Sequence, residues 1–166
     1  MCQLCNYTTW EIKPQQQTYL INRQLYKRWI VGVILICKDK VLLVRSYKHW
    51  GFPKGTLKPS EAPFIGACRE LMEETGIDIN LPEEAFQRWC PTSTSIFFIK
   101  VISEELKPQI NRVFADSSND ATGVGWFKLG CISNLVTTNA MISNCYLKRF
   151  LGRVHQLLKY KKMIKV

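Results

Sequence analysis

With 166 residues, 46% of them hydrophobic, the chain has enough material for one domain with a proper core, and its formal charge of +10 points to polyanionic partners. No apolar run reaches the roughly 18 residues that a membrane helix needs, and the N-terminus lacks a signal-peptide core, so a soluble cytoplasmic protein without membrane contact is expected. Seven cysteines, an odd number scattered from Cys2 to Cys145, argue against a disulfide framework.

Residues 1 to 27 are polar, rich in Gln and Tyr and without periodicity; they read as an arm with room for a short strand, ahead of a domain over 28 to 166. Cys2 and Cys5 have the spacing of half a zinc knuckle, but no second CxxC or His pair follows, and His49 and His155 are the only histidines. Reduced thiols in the arm are the plainer reading, with zinc left open. Trp29 to Cys37 is a β-branched run without charges, Lys38-Asp39-Lys40 is a turn, and Val41 to Arg45 is a second strand, which together make a hairpin. The hairpin feeds Trp50-Gly51-Phe52-Pro53-Lys54-Gly55, a turn-rich stretch whose glycines let backbone approach a ligand. Lys48 and Lys54 are candidates for contact with a substrate phosphate. Trp50 is a candidate platform for a base, with a plug for the core as the preferred reading.

A helix is predicted next. Ser60 suits an N-cap, Pro63 falls in the first turn where a missing N–H does no harm, and Gly76 suits a C-cap. Phe64, Cys68 and Leu71, flanked by Ile65 and Met72, form an apolar arc, while Glu70, Glu73 and Glu74 gather on the opposite side at spacings i, i+3 and i+4. Carboxylates so placed repel by a few tenths of a kcal/mol per pair. Hard cations among them would explain the arrangement, and a solvated acidic face is the alternative.

Read in full, the stretch is Gly55, five residues, Glu61, seven residues, Arg69-Glu70-Leu71, one residue, Glu73-Glu74, one residue, Gly76-Ile77. It resembles the Nudix box, G-x5-E-x7-R-E-U-x-E-E-x-G-U with U aliphatic, at every fixed position. The resemblance implies an α/β fold, an α/β/α sandwich around a mixed β-sheet in a single domain, and hydrolysis of a diphosphate linked to a nucleoside or similar group. By position, Glu70, Glu73 and Glu74 with the Gly55 carbonyl resemble a Mg²⁺ or Mn²⁺ site. Arg69 resembles the residue that orients those glutamates, and Glu61 a structural or outlying member of the same network. Phosphoanhydride hydrolysis proceeds by in-line attack of water, with charge on the phosphoryl oxygens and leaving group to be neutralised. Carboxylate-held divalent ions serve that chemistry, and no covalent nucleophile is needed.

Beyond the box, Ile77 to Leu81 can form a strand, Pro82 to Trp89 a loop or short helical turn, and Thr92 to Ser103 a strand apolar enough on both faces to be buried. Residues 104 to 122 read as a surface loop and Gly123 to Lys128 as a further strand. Asp120 precedes Trp126 by six residues. In Nudix enzymes similar to the mRNA-decapping catalytic domain, an acidic residue at this spacing approaches the metals or serves as general base. Those enzymes carry Glu where this chain has the shorter Asp, and Asp116 competes for the role; turn formation is the alternative for both.

From about Ala140 to Tyr160 the period is helical. Ile142, Cys145, Tyr146, Phe150, Val154, Leu157 and Leu158 are expected to face the sheet, with Lys148, Arg149, Arg153, Lys159, Lys161, Lys162 and Lys165 outside or beyond. No Asp or Glu follows Asp120. A helix of one sign suggests a long polyanion, with a basic surface kept for solubility as the alternative. Two enzymatic readings stand. The first is removal of the 5′ cap of mRNA with release of m7GDP, since the WGFPKG approach resembles decapping enzymes. The second is hydrolysis of dinucleoside polyphosphates or diphosphoinositol polyphosphates, since Pro-Lys-Gly is also similar to diadenosine tetraphosphate hydrolases. A binding protein without catalysis is disfavoured, because no carboxylate of the box is missing.

Overall fold

Successive residues of a strand point to opposite faces of a sheet, so strands apolar on both faces call for a layer of structure on each side. The computed structural model, which describes residues 8–12, 29–109 and 120–159, with Thr8 and 154–159 as backbone alone, shows both layers. The run after Trp29 is β2 (Ile30–Cys37), following a short β1 (Thr8–Glu11). Lys38, at φ +55°, turns the chain into β3 (Lys40–Ser46). The hairpin pairs only at Ile36 with Val41 and Cys37 with Lys40 before its arms part.

On its other edge each arm has a distant partner. β2 runs parallel to β7 (Ser95–Ile102) over its whole length, and β3 runs antiparallel to β8 (Ala121–Lys128). β6 (Gln87–Trp89) flanks β7 and β1 flanks β8, giving the order β1-β8-β3-β2-β7-β6. Short strands β4 (His49–Gly51), β5 (Lys54–Thr56) and β9 (Ile142–Ser143) attach beside this path. On one face Val31, Val33, Leu35, Phe98 and Trp126 pack with Ala67 and Leu71 of α1 (Pro63–Thr75). On the other Ile34, Ile36 and Phe97 pack with Ile132 and Leu135 of α2 (Leu129–Thr137) and with Leu147 and Phe150 of α3 (Cys145–Lys159). The architecture is an α/β/α sandwich around a mixed sheet in a single domain. No helix of the described residues is long and apolar enough to cross a membrane.

Several local expectations change. Ser60 is not the N-cap of α1: it sits at φ +62° in the preceding turn, and Ala62 holds the cap position without a side-chain bond. The turn is closed by Glu61, whose carboxylate accepts the Lys58 N–H at 3.1 Å. Ile77 to Leu81 forms no strand, because the edge of β7 is taken by Gln87–Trp89, out of the segment read as loop or helical turn, while Ile77 and Ile79 pack into the α1-side core. α2 was not expected, although Leu129, Ile132, Leu135 and Val136 carry its period.

The C-terminal helix begins at Cys145, later than the pattern suggested. Asn144 caps it, with Oδ1 accepting the Leu147 N–H at 2.9 Å, and Ile142–Ser143 pairs with β4 instead of entering the helix. Phe150 is buried as expected, but Leu147 is buried in place of the exposed Cys145 and Ile142, and Lys148, Arg149 and Arg153 face solvent as expected. Edge-to-face contacts of Phe150 with Phe52 and Trp89, at 5.2 and 5.6 Å, fix α3 to the sheet. Cys2, Cys5, Asp116, Lys161, Lys162, Lys165 and the side chains of Val154, Leu157, Leu158 and Lys159 lie outside the described residues.

Gly76 ends α1 at φ +69°, and a Cβ there would stand 2.2 Å from the Gln109 carbonyl oxygen. Gly152 lies exposed within α3, where an added Cβ meets nothing within 4 Å. Gly76→Ala is therefore expected to destabilise by more than about 1 kcal/mol and Gly152→Ala to stabilise by roughly 0.5–1 kcal/mol, both read from urea unfolding.

Candidate active site

The organising residue is Arg69. Its guanidinium grips Glu61 with two bonds, Nε to Oε2 at 2.8 Å and Nη2 to Oε1 at 3.0 Å, and Nη2 also reaches the Thr56 carbonyl at 3.1 Å. Nη1 donates to Glu70 Oε1 at 2.6 Å and to Glu73 Oε2 at 3.1 Å. One planar cation thus sets two glutamates of α1 while a third ties it back to the turn before the helix. The arginine lowers the pKa of Glu61 from the ordinary carboxylate value, chiefly through that bonded fork.

The acidic side of α1 is mostly withdrawn from water, with Glu73 alone of its three glutamates partly exposed. Glu70 and Glu74 are buried with the sheet-facing Ala67 and Leu71, whereas Ile65 of the expected apolar arc is 60% exposed. β5 makes room for this. A Cβ on Gly55 would fall 2.1 Å from Glu70 Cδ, so only glycine lets the carboxyl lie against the strand. Glu74 Oε2 accepts the Lys54 N–H at 3.1 Å. Burial pushes both carboxyls up, Glu70 despite its arginine and Glu74 well above the ordinary range, with Glu70 and Asp120 adding negative field at Glu74 and Lys54 opposing it.

Asp120 is therefore brought to the same end of the molecule. It is exposed, and its Oδ2 accepts the Ser46 hydroxyl. Lys54 is half-buried, its Nζ 6.0 Å from the centre of the Tyr146 ring, and Lys48 is exposed. Trp50 resolves to the core: it is 8% exposed and meets Phe127 edge-on at 4.9 Å, which removes it as a platform for a base. Among the described residues no three His, Cys, Asp or Glu side chains form a ready-made metal cage, since Glu70 and Glu73 turn toward Arg69 and Glu74 toward the Lys54 amide. Sequence spacing did not reveal the Lys54 amide, the Thr56 carbonyl or Ser46. Each joins the network through strand placement, for which a linear motif carries no signal.

Because Glu74 binds its proton more tightly in the folded state, its contribution to stability is complete in acid and is lost as pH rises above about 4.5 toward the raised value. In EDTA, Glu74→Gln is expected to match the wild type in Tm near pH 4 and to exceed it by at least about 2 °C at pH 8, as measured by calorimetry.

Comparison with known proteins places this geometry. The NUDIX domain model matches residues 26–144, well over half of the chain. The protein 111R of Invertebrate iridescent virus 3 is 32% identical over 121 residues, spanning 70% of this chain and 68% of that protein. The m7GpppN-mRNA hydrolase dcap-2 of Caenorhabditis elegans is 30% identical over 141 residues, 78% of this chain and 17% of its own much greater length. Among solved structures, a C. elegans Ap4A hydrolase shares the fold with a TM-score of 0.54 at 16% identity, covering 80% of this chain and 98% of the other. The match to the domain model spans the whole box, from Gly55 to Ile77, and the strands from β2 to β9, and the chain belongs to the Nudix family.

Proposed function

We propose that this chain is a divalent-metal-dependent Nudix pyrophosphohydrolase that hydrolyses the 5′ cap of mRNA and releases m7GDP. The observation that carries the hydrolytic reading is the pair of buried carboxylates, Glu70 and Glu74, on one helix face against a glycine strand. Nudix hydrolases generally use divalent metals such as Mg²⁺ or Mn²⁺. The donor set fits such an ion: hard oxygen ligands, more negative charge than Arg69 offsets, and a cradle that any Cβ at residue 55 would fill. Glu70, Glu73, Glu74 and the Gly55 carbonyl would hold it, with Arg69 and Glu61 orienting them. Once bound, the ion lowers the pKa of a water and neutralises charge on the phosphates. Asp120, exposed and within the field of Glu74, accepts the proton of the attacking water, and Lys54 and Lys48 meet substrate phosphates.

The capped-RNA reading draws on the likeness to the nematode mRNA hydrolase and on α3. Lys148, Arg149 and Arg153 are exposed on a chain with no acidic side chain after Asp120, a surface that suits an RNA body. The second reading, a hydrolase of dinucleoside polyphosphates or diphosphoinositol polyphosphates, is favoured by one observation. The chain matches an Ap4A hydrolase over 98% of that protein's length but only 17% of the decapping protein's.

Cap-labelled RNA assayed beside free cap dinucleotide, Ap4A and a diphosphoinositol polyphosphate separates the two. Capping-dependent release of m7GDP, faster from long RNA than from the dinucleotide, supports decapping; preference for a small substrate supports the second reading. Glu73→Gln and Glu74→Gln are expected to lower turnover by about a hundredfold or more with an intact fold by circular dichroism. Replacing Lys148, Arg149 and Arg153 by Gln is expected to weaken RNA binding, cut the salt dependence by about 0.7 per lost phosphate contact, and leave turnover of the free dinucleotide within about twofold.

A further inference from the structure

The pairing of β3 with β8 slips where it approaches the site. Val44 faces Val124 and Arg45 faces Gly123, but Ser46 faces Ala121, so Thr122 is the extra residue of a β-bulge. The slip shows in the core: Trp126 and Val124 alternate onto the α1 side, and the next residue there is Ala121, not Thr122. Bulges re-aim side chains next to functional sites.

This bulge is fastened on several sides. Arg45 donates from Nε to Thr122 Oγ1 and from Nη2 to the Thr122 carbonyl, both at 3.0 Å, and the threonine hydroxyl returns a bond to the Arg45 carbonyl at 3.3 Å. The Ile12 N–H adds a bond to the same Thr122 carbonyl at 3.1 Å. Glu11 pairs with Arg45, whose Cζ lies 5.6 Å from the centre of the Trp50 ring. Thr122 itself is 3% exposed. A chain so held enters β8 along one path, and its preceding residue, Asp120, meets the Ser46 hydroxyl. Ser46 follows Leu42 and Val44 on the side of β3 that carries α1, the helix of Glu70 and Glu74.

We infer that Ser46 is the positioning residue of Asp120, its hydroxyl donating to Oδ2 and aiming the carboxylate of an otherwise exposed loop residue at the site, with the Arg45–Thr122 clamp fixing the bulge on which both depend. The inference rests on the reading of Asp120 as proton acceptor. The described bond engages Oδ2, which leaves Oδ1 for the water, the arrangement in which a base is oriented by a third group. Asp is one methylene shorter than Glu and has fewer rotamers to lose, so a single hydroxyl suffices to select its direction.

The test is a double-mutant cycle in Mn²⁺-loaded full-length enzyme. Ser46→Ala is expected to lower kcat about tenfold with KM within twofold, Ser46→Thr to restore most of it, and Ser46→Ala to have no further effect in an Asp120→Asn background. Mn²⁺ affinity by calorimetry and the unfolding midpoint are expected to stay at wild-type values in Ser46→Ala, which separates aim from metal binding and from folding. An unchanged kcat in Ser46→Ala alongside a slow Asp120→Asn overturns the positioning role alone. Equal losses from Ser46→Ala in both backgrounds overturn it too, by showing that the serine acts elsewhere. Wild-type kcat in Asp120→Asn overturns the reading of Asp120 and the inference with it.

Discussion

Burial of like charge is the constraint on which this structure turns. Glu70 and Glu74 stand one helical turn apart on a face of α1 that is withdrawn from water, and withdrawal opposes the ionised form of each. Arg69 meets part of that cost, spreading its guanidinium over Glu61, Glu70 and Glu73, but Glu74 is held by a backbone amide instead. Protein cation and helix placement therefore leave a residue of negative charge at one spot. A fold tolerates such a deficit where a ligand of positive charge completes it, and stability given up there returns as affinity.

The rest of the domain exists to keep that face in place. β2, apolar on both sides, anchors α1 on one layer and α2 and α3 on the other, while β5 pairs with its first residues and sets Gly55 beside Glu70. β3 pairs with β8 from Lys40 to Ser46, well beyond the point where its pairing with β2 ends at Val41. That continued pairing brings Ser46 and Asp120 together, with Asp120 in the field of Glu74. α3, bound through Phe150, carries exposed basic residues on the layer opposite α1.

How much of this was legible in the sequence depends on the range of the interactions. The box is local: its helix and its C-cap glycine follow from spacing, and the Arg69–glutamate network was implied by the resemblance to the box. The buried strands declared themselves through β-branched and aromatic runs. Failures came where a tertiary neighbour decided. Ile77 to Leu81 has strand composition but no free edge, since Gln87–Trp89 occupies it, and Ser60 has cap chemistry but spends its place in a left-handed turn. Ile142 fits the helical period yet pairs with His49 of β4. Trp50 was open between platform and plug because the choice depends on Phe127, which is distant in sequence. The bulge at Thr122 has no motif at all: it is a register between two strands, visible only once they are paired.

Divalent-cation binding at the buried acidic face of α1 can be seen directly. Anomalous diffraction from crystals soaked in Mn²⁺ would give it. A manganese peak is expected within ligand distance, about 2.0–2.4 Å, of carboxylate oxygens from the Glu70, Glu73 and Glu74 group and of the Gly55 carbonyl. Saturating Mn²⁺ with no peak there, and with Glu70 and Glu73 still bonded to Arg69 as they are now, would contradict it.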